Sequence, residues 1–190
     1  MTSPFGLQGP ELVHAIHLLP DDSSRSKWES QRISILSPCV VDDREEVVRA
    51  LDQPVHVGVD GNINPAAFTD VGSRGLSVNR REYCELGTIK HCAAGRAEHA
   101  RQRNLHAGKP DNGRRVVALV HWSVKALRAL RTDDGAGRLV GVYDSALPGS
   151  EYERSHADVV TFLASKAAER RARRLLYEQA KGRVEWLAAC

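Results

Sequence analysis

Short apolar stretches separated by breaker residues run along the chain, and the spacing inside each stretch predicts its form. Arg115–Trp122 is the plainest case. Val116, Val117, Ala118, Leu119 and Val120 follow one another without interruption, as in a strand buried on both faces. Arg32–Val41, interrupted by Pro38, and Val55–Val59, whose valines alternate with His56 and Gly58, read as strands, as do Gly75–Val78 and Arg138–Tyr143. Val47, Val48 and Leu51 fall on one side of a helix over Arg44–Leu51, with Asp42 and Asp43 placed to cap it. Ile89, Cys92, Ala93, Ala97 and Ala100 mark the buried stripe of a helix over Thr88–Asn104, preceded by a helical Asn79–Leu86 and a break at Gly87. Ser123 is placed to cap a helix over Val124–Leu130. From about Asp158 to Lys181 the pattern is one long helix ended at Gly182, followed by a short terminal helix to Ala189.

Breakers dominate the front of the chain. Pro4, Gly6, Gly9, Pro10, Pro20 and the run Asp21–Ser26 make residues 1–31 a loosely organised N-terminal arm. Leu12, Ala15, Ile16 and Leu19 give it one short helix over Glu11–Leu19 that could dock on the rest. Residues 32–190 are expected to form a single α+β domain: a mixed or antiparallel sheet of about four to five strands, flanking helices and a long basic C-terminal helix. No G-x-G-x-x-G turn or P-loop is present, which argues against a nucleotide-binding doubly wound fold.

Composition narrows the class. With 190 residues and 42% hydrophobic positions the chain can bury a core, and with aromatics at 5% that core must be built from Ala, Val and Leu. No apolar run approaches the roughly 20 residues that cross a bilayer. Glu11, His14 and His17 interrupt the most apolar part of an N-terminus that lacks a cationic start, unlike a signal peptide. Four cysteines (Cys39, Cys84, Cys92 and Cys190) without a secretion signal fit free thiols in a reducing, cytoplasmic setting. Arg used over Lys, with abundant Ala, Val and Gly, points to a high-GC bacterial source.

Charge is divided unevenly. Residues 1–60 carry five Arg and Lys against ten Asp and Glu, whereas residues 61–190 carry 22 against 14. Between Lys166 and Arg183 there are seven basic residues and two acidic ones. On a helical wheel Arg170, Arg173, Arg174, Tyr177 and Lys181 fall together, opposite Ala164, Ala168, Ala172 and Leu175. A cationic stripe with one aromatic fits contacts to phosphates or to an acidic protein face. An ordinary solvated face, with Glu169 and Glu178 as internal partners, is the plainer alternative. Cys84, His91, Cys92, His99 and His106 lack the C-x2-C spacing of a zinc finger, so no metal site is expected. His56, Ser77 and His156 flank the expected strands and could build a small catalytic cleft, with a histidine as general base. No G-x-S-x-G elbow surrounds Ser77, and His156 could equally cap the helix after it.

Two resemblances attach to these residues. DGNINPAAFTDVGSRGLSVNR (60–80) and SALPGSEYERSHADVV (145–160), followed by an Arg-rich helix, resemble a family of small uncharacterised bacterial proteins with a GLSV strand and a late HA-x-[IV] element. That resemblance implies a compact bacterial domain and no particular activity. His56 and Gly75-Leu76-Ser77 are also similar to the first two strand motifs of small ADP-ribosyltransferase-like domains. The closing Glu of that family has no counterpart, since Glu151 and Glu153 stand in an expected loop. The leading expectation is therefore a binding protein for an anionic partner, nucleic acid first and an acidic protein surface second, needing no cofactor. A small transferase-type enzyme built on His56, Ser77 and His156 is the alternative. A structural or assembly subunit with Trp28, Trp122 and Trp186 as anchors is the third.

Overall fold

The strand that organises the fold is one the spacing assigns to a helix. In the computed structural model, which describes residues 5–188, Glu46–Gln53 is strand β1 and lies inside a six-stranded sheet. Val47 and Leu51 pack into the main core, while Val48 packs against a second cluster on the other face. A strand buried on both faces loses its alternation, and Val47, Val48 and Leu51 then mimic a helical stripe.

The other strands are β2 (Leu76–Arg80), β3 (Arg115–Ser123), β4 (Val140–Asp144), β5 (His156–Thr161) and β6 (Val184–Trp186). They stand in the order β4-β5-β2-β1-β3-β6, and every neighbouring pair is antiparallel. The α+β class is as expected, with six strands in place of four to five. Arg32–Val41 forms no strand. Val55–Val59 contributes only the isolated bridge Val57↔Ile63 around a turn at Asp60-Gly61-Asn62. The expected long helix divides into β5 and a later helix, and the expected terminal helix is the edge strand β6.

The helices are α1 (Gly9–His17), α2 (Asp22–Glu29), α3 (Leu86–His106), α4 (Val124–Arg128), α5 (Glu151–Arg154) and α6 (Lys166–Lys181). Short 3-10 helices span Pro65–Gly72 and Arg81–Tyr83. One sheet face is covered by α4, α6 and the first 3-10 helix: Phe68, Val71, Leu127, Ala172 and Leu176 meet Leu51, Val78, Val120, Val142 and Val159. Gly72 lies so close to α6 that a Cβ there would strike the side chain of Glu169.

The opposite face is covered in two separate places. Over β4 and β5, Leu12, Val13, Ile16 and Trp28 pack on Tyr143, Val160 and Phe162. Residues 9–29 are thus two docked helices rather than a loose arm. Buried Glu29 secures them by accepting from Arg128 Nε at 2.8 Å, Arg138 Nη2 at 2.9 Å and the Val142 amide at 2.7 Å. Over β1 and β3, Ile89 of α3 and Tyr152 of α5 pack on Val48 and Leu119. Between these two apolar patches runs a polar strip across β2 and β5, where Ser77 stands opposite Asp158 and Asn79 opposite His156.

Candidate functional site

The strip opens into a cleft because β1 and β2 part company. β1 pairs with β3 along its whole length but with β2 only at Val47↔Arg80 and Val48↔Asn79. Beyond that point Arg49 crosses the gap. Its Nη1 donates to the Ser77 carbonyl at 2.9 Å and its Nη2 to the Ala67 carbonyl at 3.0 Å. Small residues keep the space above open: Ala50 on β1 faces Ala93, Ala97 and Ala100 of α3 across a cavity of about 490 Å³. Larger side chains at these four positions would fill it.

Charge in this cleft is predominantly positive. Arg49, Arg74, Arg96, Arg103 and Arg114 line it, against the two carboxylates Asp52 and Asp70. Arg114 pairs with Asp52 at 2.7 Å and Arg74 with Asp70 at 2.9 Å. Arg96 lies over the Tyr152 ring, 4.9 Å from its centre. Arg103 is exposed and has no hydrogen bond or ion pair among the described residues. Arg49 is buried, and its Nε–H has no partner. Burial pulls its pKa down to about 10, which leaves it charged at neutral pH.

His56 and Ser77 both line the cleft. The Asp52 amide donates to His56 Nδ1 at 3.0 Å, so the neutral ring carries its proton on Nε2. Burial, then the nearby Arg49 charge, lowers the His56 pKa to about 4, and the ring is neutral at pH 7. His156 is not part of this lining. It belongs to a buried chain in which Ser145 Oγ donates to Asp158 Oδ2 at 2.8 Å and stands 2.9 Å from His156 Nδ1. With the serine proton given to Asp158, His156 Nδ1–H donates to Ser145. The serine, not the histidine, therefore bridges the other two, and it is fully buried. In a hydrolytic triad the histidine bridges and the serine faces the substrate. His156 also lies in β5 and caps no helix; Ser165 caps α6 by accepting from the Ala168 amide at 3.1 Å.

Glu151 and Glu153 lie in α5, where Glu153 completes a capping box with Ser150. Among the described residues no glutamate lines the cleft. No group of three His, Cys, Asp or Glu among the described residues is gathered closely enough to hold a metal ion. Cys39, Cys84 and Cys92 are free thiols, and Cys190 lies outside the described residues.

The basic face of α6 is the second candidate. Ala168, Ala172, Leu176 and Ala180 are buried and fix the helix's rotation; Leu175 is half-buried, and Ala164 lies before the helix, exposed. Arg170 and Arg174 are exposed and Arg173 half-buried, and none of the three has an ion pair or hydrogen bond among the described residues. Arg171, by contrast, is tied to Asp133 and to the Arg131 carbonyl. Lys181 pairs with Glu178 at 3.1 Å and sits 4.4 Å from the centre of the half-buried Tyr177 ring. Trp28 and Trp122 are core residues, which leaves Trp186, 53% exposed on β6, as the remaining tryptophan at the surface. Among the described residues no helix is long and apolar enough to cross a membrane.

The cleft arginines escape a reading of the sequence because they come from β1 (Arg49), α3 (Arg96 and Arg103) and the loops just before β2 (Arg74) and β3 (Arg114). Two local signals do exist: Arg49 inside an otherwise apolar stretch, and Arg96 and Arg103 seven residues apart beside the alanine stripe of α3. No protein-family model matches the chain, and no curated protein and no solved structure matches it.

Proposed function

We propose that this protein binds an anionic polymer, nucleic acid in first place, through the exposed face of α6. One observation carries the reading: Arg170, Arg173 and Arg174 have no carboxylate partner among the described residues, while Arg171 beside them does. Guanidinium groups held outward by a buried alanine stripe are ready to replace counter-ions along a phosphate backbone. Arg170 and Arg173 also border a shallow cavity of about 370 Å³ with Ser73, whose hydroxyl adds a neutral donor, and with Glu169, which is paired to Lys166. Tyr177 offers a stacking surface only when Lys181 moves off its ring.

The test is a salt titration of oligonucleotide binding with wild type and the Arg170→Ala/Arg173→Ala/Arg174→Ala variant. Loss of three contacts lowers the slope of log K against log salt by about 2 on single strands and nearly 3 on duplex. An unchanged slope and affinity would sink the reading. Binding of an acidic protein, with no nucleic-acid binding, would transfer the face to the second partner class.

A second reading, a small transferase-type enzyme, is supported by His56 and Ser77 lining one arginine-rich cleft. It loses its third expected member, His156, to the buried chain with Ser145.

A further inference from the structure

Three arginines among the described residues have lost nearly all contact with water, and their surroundings differ. Arg25 pairs with Asp22 at 3.2 Å and donates to the Leu19 carbonyl at 2.6 Å. Arg80 is met by Glu45 at 2.7 Å and by Asp144 at 3.8 Å. Arg49, 8% exposed, forms no ion pair among the described residues and leaves its Nε–H unpaired. The two carboxylates whose charge it feels most, Asp70 and Asp52, are already engaged by Arg74 and Arg114. A buried charge without a counter-ion is strongly destabilising, and folds keep one where something outside the chain completes it. Arg96 and Arg103 line the same cavity, also without a carboxylate partner. Five arginines therefore line one space against two carboxylates, and three of the five, Arg49, Arg96 and Arg103, form no ion pair among the described residues.

We infer that this cleft binds a phosphate monoester of a small molecule, its dianionic head seated among Arg49, Arg96 and Arg103, with the Ser77 hydroxyl and His56 Nε2–H as further donors. The planar guanidinium fork fits two phosphate oxygens at once, and two negative charges answer three cations better than one does. The cavity, about 490 Å³, falls within the range of small-molecule sites and leaves room for the organic part. The neutral state of His56 suits it to donate without adding charge. This site uses none of the arginines of α6, so it stands or falls apart from polymer binding.

Thermal unfolding and calorimetric titration at fixed ionic strength, with inorganic phosphate, phenyl phosphate and benzenesulfonate, test the assignment. Phosphate and phenyl phosphate are expected to raise Tm, and benzenesulfonate, a monoanion of similar shape, to bind at least about tenfold more weakly. Arg103→Ala, at an exposed position, is expected to weaken phenyl phosphate about tenfold. Arg49→Met removes the buried cation but also the donors to the Ser77 and Ala67 carbonyls, so it is read through the phosphate-induced shift, which it is expected to abolish. The Arg170→Ala/Arg173→Ala/Arg174→Ala variant should bind phenyl phosphate as wild type does. Equal response to phosphate and benzenesulfonate, no response to either, or full binding by Arg103→Ala overturns the assignment. Should Arg49→Met fail to fold, Arg103→Ala decides alone.

Discussion

Arg80 and Glu45 clasp the paired end of β1 and β2: Arg80 Nε meets Glu45 Oε2 and Nη2 meets Oε1, each at 2.7 Å, with both side chains shut off from solvent. The fork is bidentate, and Arg80 also donates to the Cys39 and Val40 carbonyls, so the segment before β1 is held by the same group. Glu45→Ala leaves the guanidinium buried without its main counter-ion. We expect a loss of about 3–5 kcal/mol in denaturant unfolding. A loss under about 1 kcal/mol would mean that Asp144 alone suffices.

Gly75 adopts φ +78°, and a Cβ there would lie 2.8 Å from the carboxyl carbon of Asp158. Both the backbone and the buried neighbour resist a side chain, so Gly75→Ala is expected to cost about 2–4 kcal/mol. Gly61, also at positive φ but with open space around it, serves as the control. Gly61→Ala should cost about 1 kcal/mol through the backbone alone. Similar losses at the two positions would remove Asp158 from the explanation.

Ser165 closes the first turn of α6 by accepting from the Ala168 amide. Ser165→Ala should cost about 1 kcal/mol. It should leave the salt dependence of polymer binding unchanged, because the buried stripe and not the cap sets which way the arginines point. A changed salt slope in this variant would show that the cap matters to the face.

His56 makes stability depend on pH. Its folded-state pKa, about 4, lies below the ordinary 6.5, so the unfolded chain binds the extra proton first. The penalty is absent above pH 6.5 and grows as pH falls toward 4, to the order of a few kcal/mol. Arg49 and Arg114 oppose the proton, while Asp52 and Asp70 favour it without overcoming burial. His56→Gln should flatten the stability profile between pH 6.5 and pH 4, as read by chemical denaturation across that window. An identical slope in the variant would place the effect on other groups.

Some of this architecture is legible in the residues alone. β3 is, because five consecutive apolar positions leave little else to be. The rotation of α6 is legible in part: Ala168 and Ala172 are buried as the period predicts, but Ala164 precedes the helix and Leu176, not Leu175, continues the stripe. β1 is misread because Arg49 and Ala50 sit among valines at helical spacing, and only the distant strands on each side make the stretch extended. β5 is misread because Asp158 looks like the start of the long helix and His156 like its cap; their partners, Ser145 and the facing β2, lie elsewhere in the chain. The cleft is illegible for the same reason. Its cations are brought together by the parting of two strands, and no local pattern records where a ladder stops.

That parting divides the sheet into two three-stranded leaves, β4-β5-β2 and β1-β3-β6, joined edge to edge through two residue pairs. Arg80 pins one end of the seam and Arg49 spans the other, so the open part of the seam runs beneath the arginine-lined cleft. Where the ladder stops, the two leaves are held by a side chain in place of backbone pairs: Arg49 of one leaf donates to the Ser77 carbonyl of the other.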